Sequence, residues 1–355
     1  MNFTYTPAQQ AFAAELGEAL NRFDYPATIR SQADAGAAAF DAASWQMLAD
    51  QRWLGTAVSA DLGGRGLGAE ELTLVAYEAG RALLPVPMVA TLLAGEALKA
   101  AGATQSVRDL AAGRLRVALC LPPPGASRPV VAVRDGQASG VLTPVADGMV
   151  ADAVLCADTD GCCWLVDLRN AGVRRRQLVT LDLAHTSAEL ALEKSPALLL
   201  GALDAWRARA AILVAFEQLG GAQHCLDSAV AYAKERYAFG QPIGAFQSLK
   251  HKLAALHVEV ELARANAYYG AFVLAGGDAE LDNLTTAASL ARASATEAYL
   301  TVAQESLHVH GGVGFTWDCD MHLHLRRARG MEAALGSATT WREGLLDDQA
   351  LLASL

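Results

Sequence analysis

Several sets of residues in this chain have the types and spacing to do chemistry. In Arg236-Tyr-Ala-Phe-Gly-Gln-Pro-Ile-Gly-Ala-Phe-Gln247 an arginine, an aromatic ring and a side-chain amide surround a glycine turn. Arg236 can offer its planar fork to a phosphate, and Phe239 an apolar face. Gly240 permits a tight turn, and Gln247 can reach a ribose or pyrophosphate oxygen. That set suits a nucleotide. The same residues equally describe a surface arginine at a helix end beside a buried phenylalanine. Gly311-Gly312, followed by Val-Gly-Phe-Thr, either ends a helix or lets a ligand approach the backbone. His308, His310, His322 and His324 raise the question of a metal. Residues two apart on a helix do not share a face, so no metal site is expected. Arg326-Arg327-Ala-Arg329 reads as a solvated basic face, or as a contact for a phosphate or for a partner's acids.

The chain that must position these residues has 355 residues, 53% hydrophobic and 19% charged, and a net charge of −10. Its length suggests two or three domains with a sizeable interior. The low charge content argues against disorder. The acidic balance gives no support to nucleic-acid binding, which wants a basic face, or to anionic membrane surfaces. Cys120, Cys156, Cys162, Cys163, Cys225 and Cys319 show no CxxC zinc spacing. Reduced thiols are the simplest reading, and the vicinal pair reads as strand or turn. The first residues lack the basic-then-apolar pattern of a signal peptide. The apolar run over 82–101 is broken by Pro85 and Pro87 and carries Glu96, so it is expected to be a loop and a buried helix, not a membrane span. The expectation is a cytoplasmic protein.

Three regions follow one another. Residues 1–113 read as helical: Thr6-Pro7 is a start signal for a helix to Leu20. A second helix is expected over 42–52 and a third over 70–84, the latter after a flexible glycine loop over 61–68. Residues 114–197 read as a small β domain. Strands are expected near 115–121, 129–134, 139–145, 152–157 and 163–168, with turns at Asp135-Gly136 and Asp147-Gly148. From about Leu198 to residue 355 helix returns. Apolar stripes run through Ala208, Ile212, Ala215 and Leu219, through Leu249, Leu253, Leu256 and Val260, and through Ala291, Ala295, Ala298 and Val302. Three long helices and a shorter one predict a four-helix bundle. The fold class is therefore α+β.

Taken together, Arg236–Gln247 and Gly311-Gly312-Val-Gly-Phe-Thr316 resemble the acyl-CoA dehydrogenase flavoenzymes. Phe3-Thr4 with Gln9, and Leu62-Gly-Gly-Arg-Gly-Leu-Gly68, extend the resemblance over nearly the whole chain. It implies an N-terminal helical domain, a central β domain and a C-terminal four-helix bundle. It also implies FAD, an acyl-CoA substrate and an external electron acceptor. In that family the two motifs contact the ADP half of an FAD held mainly by a neighbouring subunit. Carried over, the cofactor-binding residues are Arg236, Phe239, Gln247, His308, Gly311 and Gly312, although the family often has glutamine at the position of His308.

The departures fall on the reaction itself. α,β-Dehydrogenation needs a carboxylate at the substrate α-carbon. The family position for that glutamate, counted from the glycine pair, is Leu335. The alternative position in some relatives, counted back from the signature arginine, is Ala210. Glu332 is a weak substitute candidate, one helical turn before Leu335. The Thr-Glu-Pro-Gly-Ala-Gly-Ser segment that holds the flavin ring is matched by Leu121-Pro-Pro-Pro-Gly-Ala-Ser127. There Pro122 replaces the hydroxyl and lacks an N–H. Pro144-Val145-Ala146 stands for a Trp-Ile-Thr segment, and the region has no tryptophan before Trp164. The resemblance is therefore to the non-catalytic subunit of a heteromeric acyl-CoA dehydrogenase of the steroid side-chain type. The partner would be a homologous catalytic subunit in a heterotetramer. The alternatives are a self-sufficient homotetramer with a displaced base and a flavin-free binding or scaffold protein.

Overall fold

The computed structural model describes residues 5–126, 131–276 and 284–346. Phe3-Thr4 and Ser127 lie outside them, as does the start of the strand expected over 129–134.

The first region is built from α1 (Pro7–Leu20), α2 (Tyr25–Asp34), α3 (Ala42–Asp50), α4 (Ala69–Arg81), α5 (Met88–Ala100) and α6 (Thr104–Ala111). Thr6 and Gln9 close a reciprocal capping box on α1, with Pro7 at its first position. Asp24 and Asp41 cap α2 and α3. The glycine loop expected to be flexible is packed instead. A side chain at Gly64 would put its Cβ 2.0 Å from the Val58 carbonyl oxygen, and Arg65 lies 3.6 Å over the Trp53 ring. The helix expected over 70–84 stops at Arg81. Leu83 takes a positive φ of 53° ahead of Pro85, which excludes continued helix.

The second region contains β1 (Val117–Cys120), β2 (Val131–Arg134), β3 (Gln137–Ala146), β4 (Ala153–Ala157), β5 (Cys162–Asp167), β6 (Val173–Gln177) and β7 (Ser187–Ala202). The strand order is β2-β3-β1-β4-β5-β7-β6, and β3 also pairs with β7. That extra pairing closes β3, β1, β4, β5 and β7 into a barrel around Leu142, Val145, Val154, Val166, Ala188 and Leu190. Asp135 and Gly136 both have positive φ and make the two-residue hairpin between β2 and β3. The helix expected from Leu198 begins at Leu203, because β7 runs on to Ala202 along β5. The expected seam at 197/198 thus falls within β7.

The third region is the bundle: α7 (Leu203–Glu235), α8 (Gln247–Leu274), α9 (Leu284–Val309), α10 (Met321–Ala333) and α11 (Ala338–Leu346). A tight hairpin of β8 (Tyr237–Ala238) and β9 (Gln241–Pro242) separates α7 from α8. The bundle's stripes on α7 and α9 are buried as the spacing predicts, whereas on α8 Leu256 and Val260 are buried and Leu249 and Leu253 only half-buried. α4 crosses α7 at backbone contact. A Cβ at Gly80 would lie 1.8 Å from the Glu217 carbonyl oxygen, and one at Gly220 1.9 Å from that of Tyr77. These two glycines lock the first region onto the bundle and fix the position of Glu217.

Candidate functional site

The three regions meet around a cleft of about 460 Å³. The α4–α5 connection contributes Leu84, Val86 and Met88, and the segment after β1 contributes Leu121, Pro122 and Pro123. Thr143, Pro144 and Asp147 come from the end of β3. Asp182 and His185 come from the loop before β7, Val214 and Glu217 from α7, and Arg327 and Leu335 from α10 and its end. Ala210 is fully buried in α7 and does not line the cleft.

Leu335 is in the cleft wall, 6% exposed, with a positive φ of 57°. The turn is fixed from behind by Arg292, which is completely buried on α9. Its guanidinium donates to the carbonyls of Met331 and Ala334 and to the side chains of Gln218 and Thr296. It thereby caps the last carbonyls of α10, as a cation should. Burial pushes the Arg292 pKa down to about 9. Trp341 donates its indole N–H to the Leu335 carbonyl at 2.8 Å. Glu332, the displaced acid considered from sequence, is not in the cleft. It pairs within α10 with Arg329, one turn back, at 3.2 Å.

The cleft does hold acids, and sequence reasoning missed them. Arg327 bonds Asp182 at 2.8 Å and also bonds Glu217. The triplet of arginines was expected to be solvated, but Arg327 is only 12% exposed. The reason is close packing: a Cβ on Gly330 would sit 2.8 Å from that of Asp182, so α10 lies against the loop. Burial opposes the Arg327 charge, yet Glu217 and Asp182 outweigh it and raise its pKa. Asp182 also accepts the backbone N–H groups of Ala184 and His185. His185 Nδ1 lies 2.9 and 3.1 Å from the two oxygens of Asp147. Burial and Arg327 push the His185 pKa down, but Asp147 and Asp182 prevail and leave it raised. The available sequence signal was Glu217, a lone acid inside the apolar run of α7.

These residues do not fit a flavin ring in this chain's own cleft. Among the described residues no Phe, Tyr or Trp lines it. Trp164 instead donates to Asp158 at 2.7 Å on the β barrel. Pro122, Pro123 and Pro144 face the space without an N–H to give. The acids present are held by Arg327 and His185.

The glycine-turn motifs form a separate surface. α7 ends at Glu235, and Phe239 and Gly240 turn the β8–β9 hairpin with φ of 53° and 78°. The buried phenylalanine allowed by the sequence is not found: Phe239 is 96% exposed, with its ring 6.2 Å from that of Phe246. Arg236 and Gln247 are exposed. The Arg236 guanidinium has no ion pair among the described residues. Gly311 has a φ of 60°, and both Gly311 and Gly312 face open space. His308 is exposed, 3.5 Å from Glu305. Ile243 and Leu249 pack with Ala233 and Val309, which joins the two motifs at one end of the bundle. Exposed Tyr237, Val313, Phe315 and Trp317 surround them.

The four histidines are not brought together. His310 Nδ1 bonds the Ser306 carbonyl, His322 stacks on Trp317 and His324 Nδ1 meets the Tyr299 hydroxyl. No cluster of three or more metal-ligand side chains occurs among the described residues. No helix there is long and apolar enough to cross a membrane.

Comparison with known proteins agrees along the chain. The acyl-CoA dehydrogenase N-terminal domain matches residues 6–109 and its C-terminal domain residues 207–345. Acyl-CoA dehydrogenase IpdE2 of Mycobacterium tuberculosis is 36% identical over 319 residues, 88% of each chain. FadE27 of the same organism, also an acyl-CoA dehydrogenase, is 30% identical over 96% of each. Among solved structures, the ChsE4-ChsE5 complex from Mycobacterium tuberculosis superposes with a TM-score of 0.87 at 27% identity, covering 99% of both chains. A variant of the Tcur3481-Tcur3483 steroid ACAD does so at 0.85 and 26%, covering 98% of this chain and 99% of that one. With both domain matches, the long relatives and the three-part architecture in agreement, this chain belongs to the acyl-CoA dehydrogenase family of FAD-dependent oxidoreductases acting on CH–CH groups.

Proposed function

We propose that this chain is the non-catalytic subunit of a heteromeric acyl-CoA dehydrogenase. The observation that carries the reading is the contrast between its two surfaces. Its own cleft has Leu335 where the base would stand and no aromatic ring for a flavin, whereas its glycine-turn surface remains exposed. Arg236 and Gln247 would bind the pyrophosphate and ribose of an FAD seated in a homologous chain. Phe239 and His308 would flank them, and Gly311 and Gly312 would leave room for the approach. When bound, FAD supplies the hydride acceptor for α,β-dehydrogenation. The carboxylate that takes the α-proton would come from the partner chain.

The helical, β and bundle regions, with the second boundary moved from 197/198 to the end of β7, act in this reading as one carrier for that surface. Similarity to a complex named for two chains supports a heterotetramer. Similarity to a steroid ACAD supports a bulky CoA ester as substrate. Electrons would pass to an external carrier, in the cytoplasm.

Co-expression with a neighbour-encoded homologue tests the reading. The pair is expected to hold flavin and to oxidise an acyl-CoA, with Arg236→Ala lowering flavin retention at least about tenfold, as for loss of a charge-assisted hydrogen bond. A pair with no more flavin or activity than this chain alone would refute it.

A further inference from the structure

The cleft has lost the parts for dehydrogenation but keeps an ordered polar end. His185 Nδ1 is committed to Asp147, while Nε2 has no partner among the described residues and the ring lines the cleft. Around it stand Asp147, Asp182 and Glu217, with Arg327 opposing them. Among the charged side chains that line this end, the three acids outnumber Arg327 and His185 whether or not His185 carries a second proton, and Arg292 stands behind the wall without lining the cleft. Arg329, at the margin, is paired with Glu332. A phosphate or carboxylate entering here would leave water beside uncompensated negative charge, which is costly. A neutral molecule meets no such penalty. His185 Nε2 accepts a hydrogen bond when the ring is neutral and donates one when it is charged. A hydroxyl is a neutral group that satisfies both states.

We propose that the cleft of this chain is a binding site for a neutral, largely apolar alcohol. Its hydroxyl meets His185 Nε2, and its hydrocarbon body packs on Leu84, Met88, Leu121, Val214 and Leu335. The volume of about 460 Å³ lies within the range of small-molecule sites, roughly 300–1,000 Å³. The site uses only residues of this chain, so it stands or falls independently of the heteromeric reading.

The test is isothermal titration of the full chain, at neutral pH, with 2-naphthol and 2-naphthoate. These probes share a fused ring and differ in hydroxyl against carboxylate. 2-Naphthol is expected to bind at one site, and 2-naphthoate at least about tenfold more weakly. Val214→Trp, which fills the cleft, is expected to abolish 2-naphthol binding. His185→Phe is expected to weaken it about tenfold, and His185→Gln to restore most of it. Thermal melts establish that each variant is folded. Equal or tighter binding of 2-naphthoate, no binding of 2-naphthol, or binding untouched by a folded Val214→Trp would each overturn the proposal. The first two outcomes need no variant.

Discussion

The cleft and the glycine-turn surface differ in where their polar groups find partners. In the cleft, Asp147, Asp182, Glu217 and Arg327 find their charged partners inside the chain, Asp147 at His185 and the other three among themselves. At the turns, Arg236 and Gln247 point to solvent and Phe239 is almost wholly exposed. Charges paired within the fold mainly hold the fold together. Unpaired ones beside exposed aromatics are what a second molecule would cover. The difference separates a cleft whose charges are closed on themselves from a surface left open to a second molecule.

The comparison breaks most visibly at Arg327. Arg327→Leu would strand Asp182 and Glu217 in a buried setting and is expected to cost about 3–5 kcal/mol, measured by urea unfolding. A cost below 1 kcal/mol would mean that the cleft charges are hydrated, and would weaken the contrast. Next is Leu335→Glu, which places a carboxylate at a position 6% exposed. It is expected to destabilise the chain by about 1–3 kcal/mol. It should create no acyl-CoA oxidation in the chain alone, because the flavin contacts are also missing. Arg292→Met removes the donors to Met331 and Ala334. A loss of about 1–3 kcal/mol is expected, offset in part because the buried guanidinium itself is relieved.

A pH series sharpens the picture of the polar end. His185 has a raised folded pKa, so its contribution to stability is complete below the ordinary histidine value of about 6.5. It is lost as pH rises through the raised folded value. The stability difference between wild type and His185→Gln should therefore shrink as pH rises above the ordinary histidine value and through the raised folded one. A difference that grows with pH would contradict the assigned direction. The smallest stability effect belongs to the other surface: Arg236→Ala should change unfolding of the isolated chain by no more than about 0.5 kcal/mol.

Much of the fold was legible because its signals are local. The Thr6-Pro7 cap, the Asp135-Gly136 turn and the alanine stripes of α7 and α9 each depend on neighbours a few residues away. β7 was not fully legible, since Leu198–Leu200 is a short apolar run that suits either a strand or a helix. The tightness of the 61–68 loop was also hidden, because Gly64 is needed for contact with the Val58 backbone and not for freedom. The glycine-turn residues could be picked out from motif alone. The polar end of the cleft could not. Arg327 and Asp182 are 145 positions apart, and His185 and Asp147 lie on different strand connections. Only the fold shows that Arg327 is an interior cation and not one of a solvated triplet.

The most direct measurement is the visible absorbance spectrum of this chain purified alone and then co-purified with the proposed homologous chain. The account predicts no flavin bands for the chain alone. It predicts oxidised flavin in the pair, lost on Arg236→Ala while the two chains stay associated. A yellow, dye-reducing preparation of this chain by itself would contradict it.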